Sequence, residues 1–502
     1  MYSQRTLTTL AIVVLVFASL QTLSSQVLEP SEQSPAARIV PELLSGNPSP
    51  STLNLSRIPR QALENFSLRR SNVDLYISNF GTIGLNGKEV QAGGMWPRGS
   101  GRQYIQGGGF WFGAKIFAVS DPEDPASPTV LQPRTVISYN PNTRKSWFVP
   151  GEISQPINRS GIDRSKEGVN LYRLYSSLDY DPVTGQPFDQ ADIVNGGPNW
   201  PIWDGDPNRI PGAEHYFGEY VLSSSQRTQE IYPDGPAMIS DEDVVAVFKD
   251  TDLWAYETKG EPGYPLGIQT EQQVLSWEDG RLKDVVIIRY RFINMSNDTL
   301  FDCYVAPVYD VDIGSPGNDR VRILEPVQSK DTLNLGVVWS EQSAGDSAFG
   351  YFAIDMLETP AIYTPGHSEY GYLRRDKPYY EGWEQLGLHS LRNWIVNEDP
   401  QTSEERYQYI ASPIRDGDNG PGDKRLCMST GSFAMRPGDT ATVAIALIFA
   451  NGAEQKRDGS LADLRSLIEL DIYTQQVYDS LLRTSSVEGE EFWKRLQELD
   501  LR

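Results

Sequence analysis

"DVVIIRYRFINMSNDTLFDCYVAPVYDVDIG", residues 284–314, holds two runs of alternating side chains separated by a short polar tetrad, "MSND". In the first run Val286, Ile288, Tyr290 and Phe292 share one face and Arg289 and Arg291 the other, because successive side chains of a strand point to opposite sides. In the second, Phe301, Cys303, Val305, Tyr309, Val311 and Ile313 share a face, with Asp302, Tyr304, Ala306, Val308, Asp310 and Asp312 opposite. Two such runs around a polar turn predict an antiparallel hairpin with Asn294 opposite Thr299. Phe292 then meets Phe301, Tyr290 meets Cys303, Arg291 faces Asp302, Lys283 faces Asp310 and Arg281 faces Asp312. Exposed cross-strand ion pairs of this kind contribute roughly 0.2–1 kcal/mol each, enough to favour a register.

A second hairpin is expected in "STGSFAMRPGDTATVAIALIF", residues 429–449. Pro437-Gly438 suits the centre of a type II turn, and Val443, Ile445, Leu447 and Phe449 alternate behind it. The 43 glycines and 34 prolines, with abundant tyrosine and tryptophan, also favour many short strands over long helices. The expected fold is therefore mainly β, with antiparallel sheets packed as one or more β-sandwiches and a C-terminal helix. The glycines of "RGSGRQYIQGGGFWFG" lack the strand-to-helix setting and Gly-Lys-Ser/Thr ending of a nucleotide loop, so they read as tight turns and close backbone packing. Ser460 with Asp463 resembles a capping box, and Leu461, Leu464, Ile468 and Ile472 follow helical spacing, which predicts a helix over 460–482. Phe492, Leu496 and Leu499 suggest a second, shorter one.

The chain opens on Arg5, an apolar core from Leu10 to Leu20 and then small and polar residues. That core is well short of the roughly 20 residues a bilayer span needs, so it reads as a secretory signal cleaved between Leu20 and Gln26. The expected organisation is a signal peptide (1–25), a Pro/Ser-rich disordered leader (26–70), an N-terminal β-rich region with long loops (71–234), a β-sandwich region (235–455) and C-terminal helices (456–502). The boundary in the middle rests on the irregular stretch 181–212, "DPVTGQPFDQADIVNGGPNWPIWDGDPNRIPG".

With 44 basic against 67 acidic residues the formal charge is -23, which argues against nucleic acid, whose phosphates need a concentrated basic surface. No membrane span is expected after signal cleavage. Cys303 and Cys427 are the two cysteines, too few for a disulfide scaffold, and either a single bridge or two buried thiols fits an exported chain. The histidines, His215, His367 and His389, have no ligand spacing, so no transition metal is expected.

Calcium is the cofactor the sequence admits, though none is required. Its candidate ligands are Asp310, Asp312, Asn318 and Asp319 in "YDVDIGSPGNDR", oxygen donors of the kind a hard cation takes, but the stretch lacks the bidentate glutamate of an EF-hand. The competing reading gives these residues to a charged strand end and a turn, with "GSPGND" as the turn itself. "RDGDNGPGDK", residues 415–424, and "WDGDPN", residues 203–208, are similar polar loops. A glycosidase pair would draw on Asp310, Asp312 and Glu384 beside Trp200, Trp203 and Trp383. As a ligand-binding loop, Trp200 and Trp203 would stack on sugar faces while Asp204 and Asp206 accept hydroxyls; alternatively both rings lie buried beneath the loop. No catalytic residue is assigned, and no G-x-S-x-G nucleophile motif is present.

The stretches "SNFGTIG", "WPRGSGRQYIQGGGFWFGAKI", "YNPNTRKSWFVPG", 284–314 and "MSTGSFAMRPGDTATVAIALIFANGA" together resemble a group of secreted bacterial proteins of the Bacteroidetes-Chlorobi type. Members of that group are often type IX secretion substrates and carry no established activity, ligand or catalytic residue. The resemblance implies export to the periplasm, cell surface or medium. The expected role is a non-catalytic structural or binding one in the envelope or outside the cell, with a glycan or an envelope protein as partner. The alternative is a carbohydrate-binding or carbohydrate-processing protein.

Overall fold

The computed structural model describes residues 63–86, 91–120, 126–151, 172–190, 238–250, 265–324, 333–341, 349–363, 384–452 and 458–479, with isolated short pieces between them. The expected signal peptide, most of the leader and the second C-terminal helix lie outside the described residues. The principal strands are β1 (Asp74–Ser78), β2 (Gly94–Met95), β3 (Gln103–Val119), β4 (Thr129–Ile137), β5 (Glu242–Lys249), β6 (Ile268–Ser276), β7 (Val285–Asn294) and β8 (Leu300–Val311). They continue with β9 (Asp319–Leu324), β10 (Leu335–Ser340), β11 (Tyr351–Glu358) and β12 (Ser390–Ile395). Helix α1 (Ser403–Ala411) precedes β13 (Lys424–Met435) and β14 (Thr440–Ala450), and α2 is Arg465–Tyr478.

Two large sheets pack face to face. The first runs β1-β2-β3-β8-β13, with β4 on β3 and β12 on β13; the second runs β5-β6-β7-β14-β11-β10-β9. Strands from before residue 181 and from after residue 300 share the first sheet and one continuous core, so the stretch 181–212 does not divide two cores as the expected boundary had it. The mainly β, antiparallel sandwich with a C-terminal helix is the architecture the alternation predicts.

The predicted hairpin is not one. β7 pairs with β6 and β14 in the second sheet, whereas β8 pairs with β3 and β13 in the first. Residues 295–299 therefore carry the chain from one sheet to the other. The face assignment holds all the same: Val286, Ile288, Tyr290 and Phe292 meet Cys303, Val305, Tyr309, Val311 and Ile313 across the sandwich interior. Phe301 departs from it, because a bulge with Asp302 at φ +45° turns Phe301 outward against Phe117. Asp310 pairs with Arg425 and Gly107, not Lys283, and the expected Arg291–Asp302 pair is replaced by Arg291–Glu271 and Lys115–Asp302.

"RPGD" likewise turns as expected, with Gly438 at φ +80° and the Asp439 N–H donating to the Arg436 carbonyl at 2.9 Å. Yet it too joins strands of different sheets, β13 and β14. The two corners lie side by side and are tied through Asn294. Its amide donates to the Asp298 and Met435 carbonyls at 2.8 and 3.1 Å, its side-chain oxygen accepts from the Ser296 N–H and hydroxyl, and its carbonyl accepts from the Gly438 N–H at 2.7 Å.

Between the sheets Phe110 packs edge-on against Phe292, with centroids 4.8 Å apart, and against Tyr290 at 5.1 Å. The glycine run of β3 makes room for neighbours within and beside its own sheet. A Cβ at Gly108 would stand 2.3 Å from the Tyr309 ring, and one at Gly109 2.3 Å from the Ser138 hydroxyl. Cys303 and Cys427 are both buried free thiols.

Helix α2 starts later than its capping signal predicts. Ser460 accepts from the Asp463 N–H at 3.3 Å, but this closes a preceding turn, and Leu461 and Ile472 are exposed. Leu464 is buried and Ile468 packs against the same core as their spacing expects, and the buried face continues through Leu467, Asp471, Tyr473, Thr474, Val477 and Tyr478. Replacing Asn294 with alanine should strand several buried polar groups at the two corners and cost roughly 3 kcal/mol. Urea denaturation measures it; an unchanged midpoint would show that the corners hold without this side chain.

Candidate functional site

The strongest concentration of ionisable side chains described lies where β8 ends and the chain crosses back to the second sheet. Asp310 and Asp312 stand on alternate residues at that end, and Asp423 comes from the turn before β13. Oxygens of the three carboxylates lie within 4.8 Å of one another. Arg425, opposite Asp310 on β13, holds both Asp310 and Asp423 at 2.5 Å and has Asp399 at 3.7 Å. Tyr139, just beyond β4, donates its hydroxyl to Asp310 at 3.3 Å, and Gln103 donates to Asp312 at 3.3 Å.

The structure thus brings two of the four candidate calcium ligands together, but with Asp423 rather than with Asn318 and Asp319. Asp319 is fully buried and its carboxylate accepts from the Ile313 N–H, closing the Gly314–Asn318 turn. Asn318 serves that turn through its backbone, donating to the Ser315 carbonyl and accepting from the Glu341 N–H. Arg425 pairs with Asp310 and Asp423, so a buried guanidinium already stands against two of the three acids.

Burial dominates the electrostatics here. It pushes Asp319 up to about 9, with Asp312, Asp423 and Asp310 adding to the rise against the Ile313 N–H. Asp310 is raised to about 7 by burial, opposed by Arg425, and Asp312 to about 6 by burial and by Asp423. Burial likewise drives the Tyr139 phenol well upward, with Asp310 adding to it.

Within the tryptophan loop, Trp200 is not a platform. Trp200 is fully buried, its ring 5.6 Å from that of Tyr180, which stacks in turn on Tyr175. Trp203 and Asp204 form a two-residue strand against Gly235–Pro236, and Asp206 lies outside the described residues, as do Trp383, His215 and His367. Near this loop a cavity of about 230 Å³ is lined by Arg173, Asp179, Tyr180, Phe188 and Asp189 among others, and Asp179 is held by Arg69 at 2.9 Å. Glu384 begins a short strand beside Ile362. The polar side chains of 415–424 act as loop anchors: Asp416 accepts from Arg392, Asp418 from Arg320, and the Asn419 amide oxygen from Lys424. His389 contacts the Ala411 carbonyl at 3.0 Å and packs on Tyr304.

No family model matches the chain, and no curated protein matches it. Among solved structures it is similar to the crystal structure of a GalM/aldose epimerase homologue from C. elegans. That similarity spans 78% of this chain and 99% of the other at 9% identity, with a TM-score of 0.24. Agreement that loose does not establish a common fold. Among the described residues no helix is long and apolar enough to cross a membrane.

Alternation could not find Arg425, because it sits on a strand whose partner is 115 residues away. Its signal in the sequence is the charged pair Lys424-Arg425 opening an otherwise apolar strand. Both are buried. Replacing Arg425 with methionine should leave Asp310 and Asp423 without their cation and cost roughly 3–5 kcal/mol, read by chemical denaturation at neutral pH; a loss within error would show that the acids do not depend on it. A second expectation concerns pH. Asp310, Asp312 and Asp319 all have folded values above those of the unfolded chain, so their contribution is complete in acid and is lost as pH rises through about 6 to 9. The melting temperature should fall between pH 5 and pH 9, and Asp319→Asn should flatten the upper part of that fall. A melting curve that rises over the same range would contradict the assignment.

Proposed function

We propose that this protein is an exported β-sandwich protein that acts in the envelope or outside the cell by structure or binding rather than by catalysis. The observation that carries this reading is where its converging carboxylates go. Asp310 and Asp423 are bound to Arg425, and Asp319 to the Ile313 N–H. Asp250 accepts three backbone N–H groups at 266–268, and Glu242 accepts from Ser176 and the Arg70 N–H. Each acid closes a corner or pins a loop, which is the work of a scaffold. A general acid or base would have to reach a ligand instead. The N-terminal sequence supports export, since its apolar core suits a signal peptide.

Expression of the full chain in a Gram-negative host, followed by fractionation and N-terminal sequencing, tests the export half. The expected product lies outside the cytosol and begins between Leu20 and Gln26. A cytosolic chain retaining Met1 would overturn it. Calorimetry of the mature protein against a glycan panel tests the other half: saturable binding to one sugar class, with turnover of that sugar, would replace the non-catalytic reading with carbohydrate processing.

A further inference from the structure

Helix α2 lies on the outer face of the second sheet, and the seam between them mixes apolar packing with buried acids. Leu467 and Val477 meet Leu275, Val285, Ile287, Val337, Ala353 and neighbouring residues there. In the same seam Asp471 of α2 is 2% exposed, with its Oδ1 lacking a hydrogen-bond partner, and Asp355 of β11 is 4% exposed. Two buried carboxylates so placed can hydrogen-bond to each other only while the pair retains at least one proton.

Asp355 is flanked in its own sheet by Ala446 and Leu335, which offer it no charge. From the helix, Asp479 adds further negative potential. The other ionisable groups along the seam have their own partners. The Tyr478 hydroxyl donates to Glu358, which also has Arg289 at 4.0 Å, and the Tyr351 hydroxyl donates to Asp463. Arg281 lies over the Tyr473 ring, 3.9 Å from its centroid, and Gln475 bridges the Leu357 carbonyl and Asp479.

We propose that α2 is a proton-dependent latch: a proton shared between Asp355 and Asp471 seals the helix onto the second sheet, and its loss as pH rises loosens the helix while the sandwich stays folded. The direction agrees with the burial of both groups, which raises Asp471 to about 7 and Asp355 well above the carboxylate range, with Asp471 adding to the latter. Folded values above unfolded ones mean that the seal is complete in acid and is lost as pH rises through the folded range. Loss of the seal would bare an apolar sheet face, so in this exported chain the latch would link external acidity to the exposure of that face.

Amide hydrogen exchange on the full mature chain, corrected for intrinsic rates, tests this between pH 6 and pH 9. Protection of a peptide spanning 465–478 should fall by roughly tenfold or more, the change expected for about one proton unit of linkage, while peptides from β7 and β14 keep theirs. In Asp471→Asn, which can donate a hydrogen bond to Asp355 without titrating, the helix should stay protected across the range. Asp355→Asn gives the same test from the sheet side should the first variant fail to fold. Helix protection that tracks the β7 and β14 peptides in the natural protein, or an undiminished pH slope in the variants, would overturn the latch.

Discussion

The architecture depends on two chain corners that are locked to each other. Residues 295–299 lead from the second sheet to the first and residues 436–439 lead back, and Asn294, fully buried, bonds to both. Because β7 pairs with β14 in one sheet and β8 with β13 in the other, these corners set the stacking of the two sheets as well as their connection. A buried amide that satisfies donors and acceptors on both corners leaves little room for slippage, since any shift would strand polar groups away from water. The aromatic contacts of Phe110 with Tyr290 and Phe292 then follow from the register of the strands that the corners bring together.

A second regularity is the use of acids as internal fasteners. The chain carries 23 more acidic than basic residues, and several carboxyls are buried where their charge is costly. Three arrangements recur. Arg425 pairs with Asp310 and Asp423; backbone N–H groups hold Asp250 and Asp319; and Asp355 and Asp471 are buried together in the α2 seam. Asp310, Asp250, Asp319 and Asp471 all keep raised folded-state proton affinities, so pH acts on the sandwich at its corners and at the α2 seam.

Much of this was legible in the residues. The alternating faces of 285–294 and 440–450, the turn at Pro437-Gly438, the close-packed glycines of β3 and the existence of a C-terminal helix all follow from local rules. What misled was adjacency. A short polar turn between two alternating runs suits a hairpin and a sheet-crossing corner equally well, because both put the same apolar faces inward. Lys283 lies exposed in the turn before β7, whereas Asp310 is buried on β8 beside Arg425, so the expected pair does not form. The same ambiguity hid the site: Asp310 and Asp312 were visible as alternate residues, but Arg425 and Asp423 reach them only through the β8–β13 ladder. In the helix, Leu464 and Ile468 lie inward where their spacing puts them, but buried Asp471 breaks the apolar pattern and Ile472 is exposed.

By itself, then, the sequence determined which side chains face inward, where the chain turns and that β-structure predominates, because steric periodicity and turn chemistry act over a few residues. Only the tertiary structure decided which strands are neighbours, which buried acid meets which partner and which tryptophans are covered. Those are long-range pairings, and their energy depends on burial and on groups more than a hundred residues apart, which no local pattern encodes.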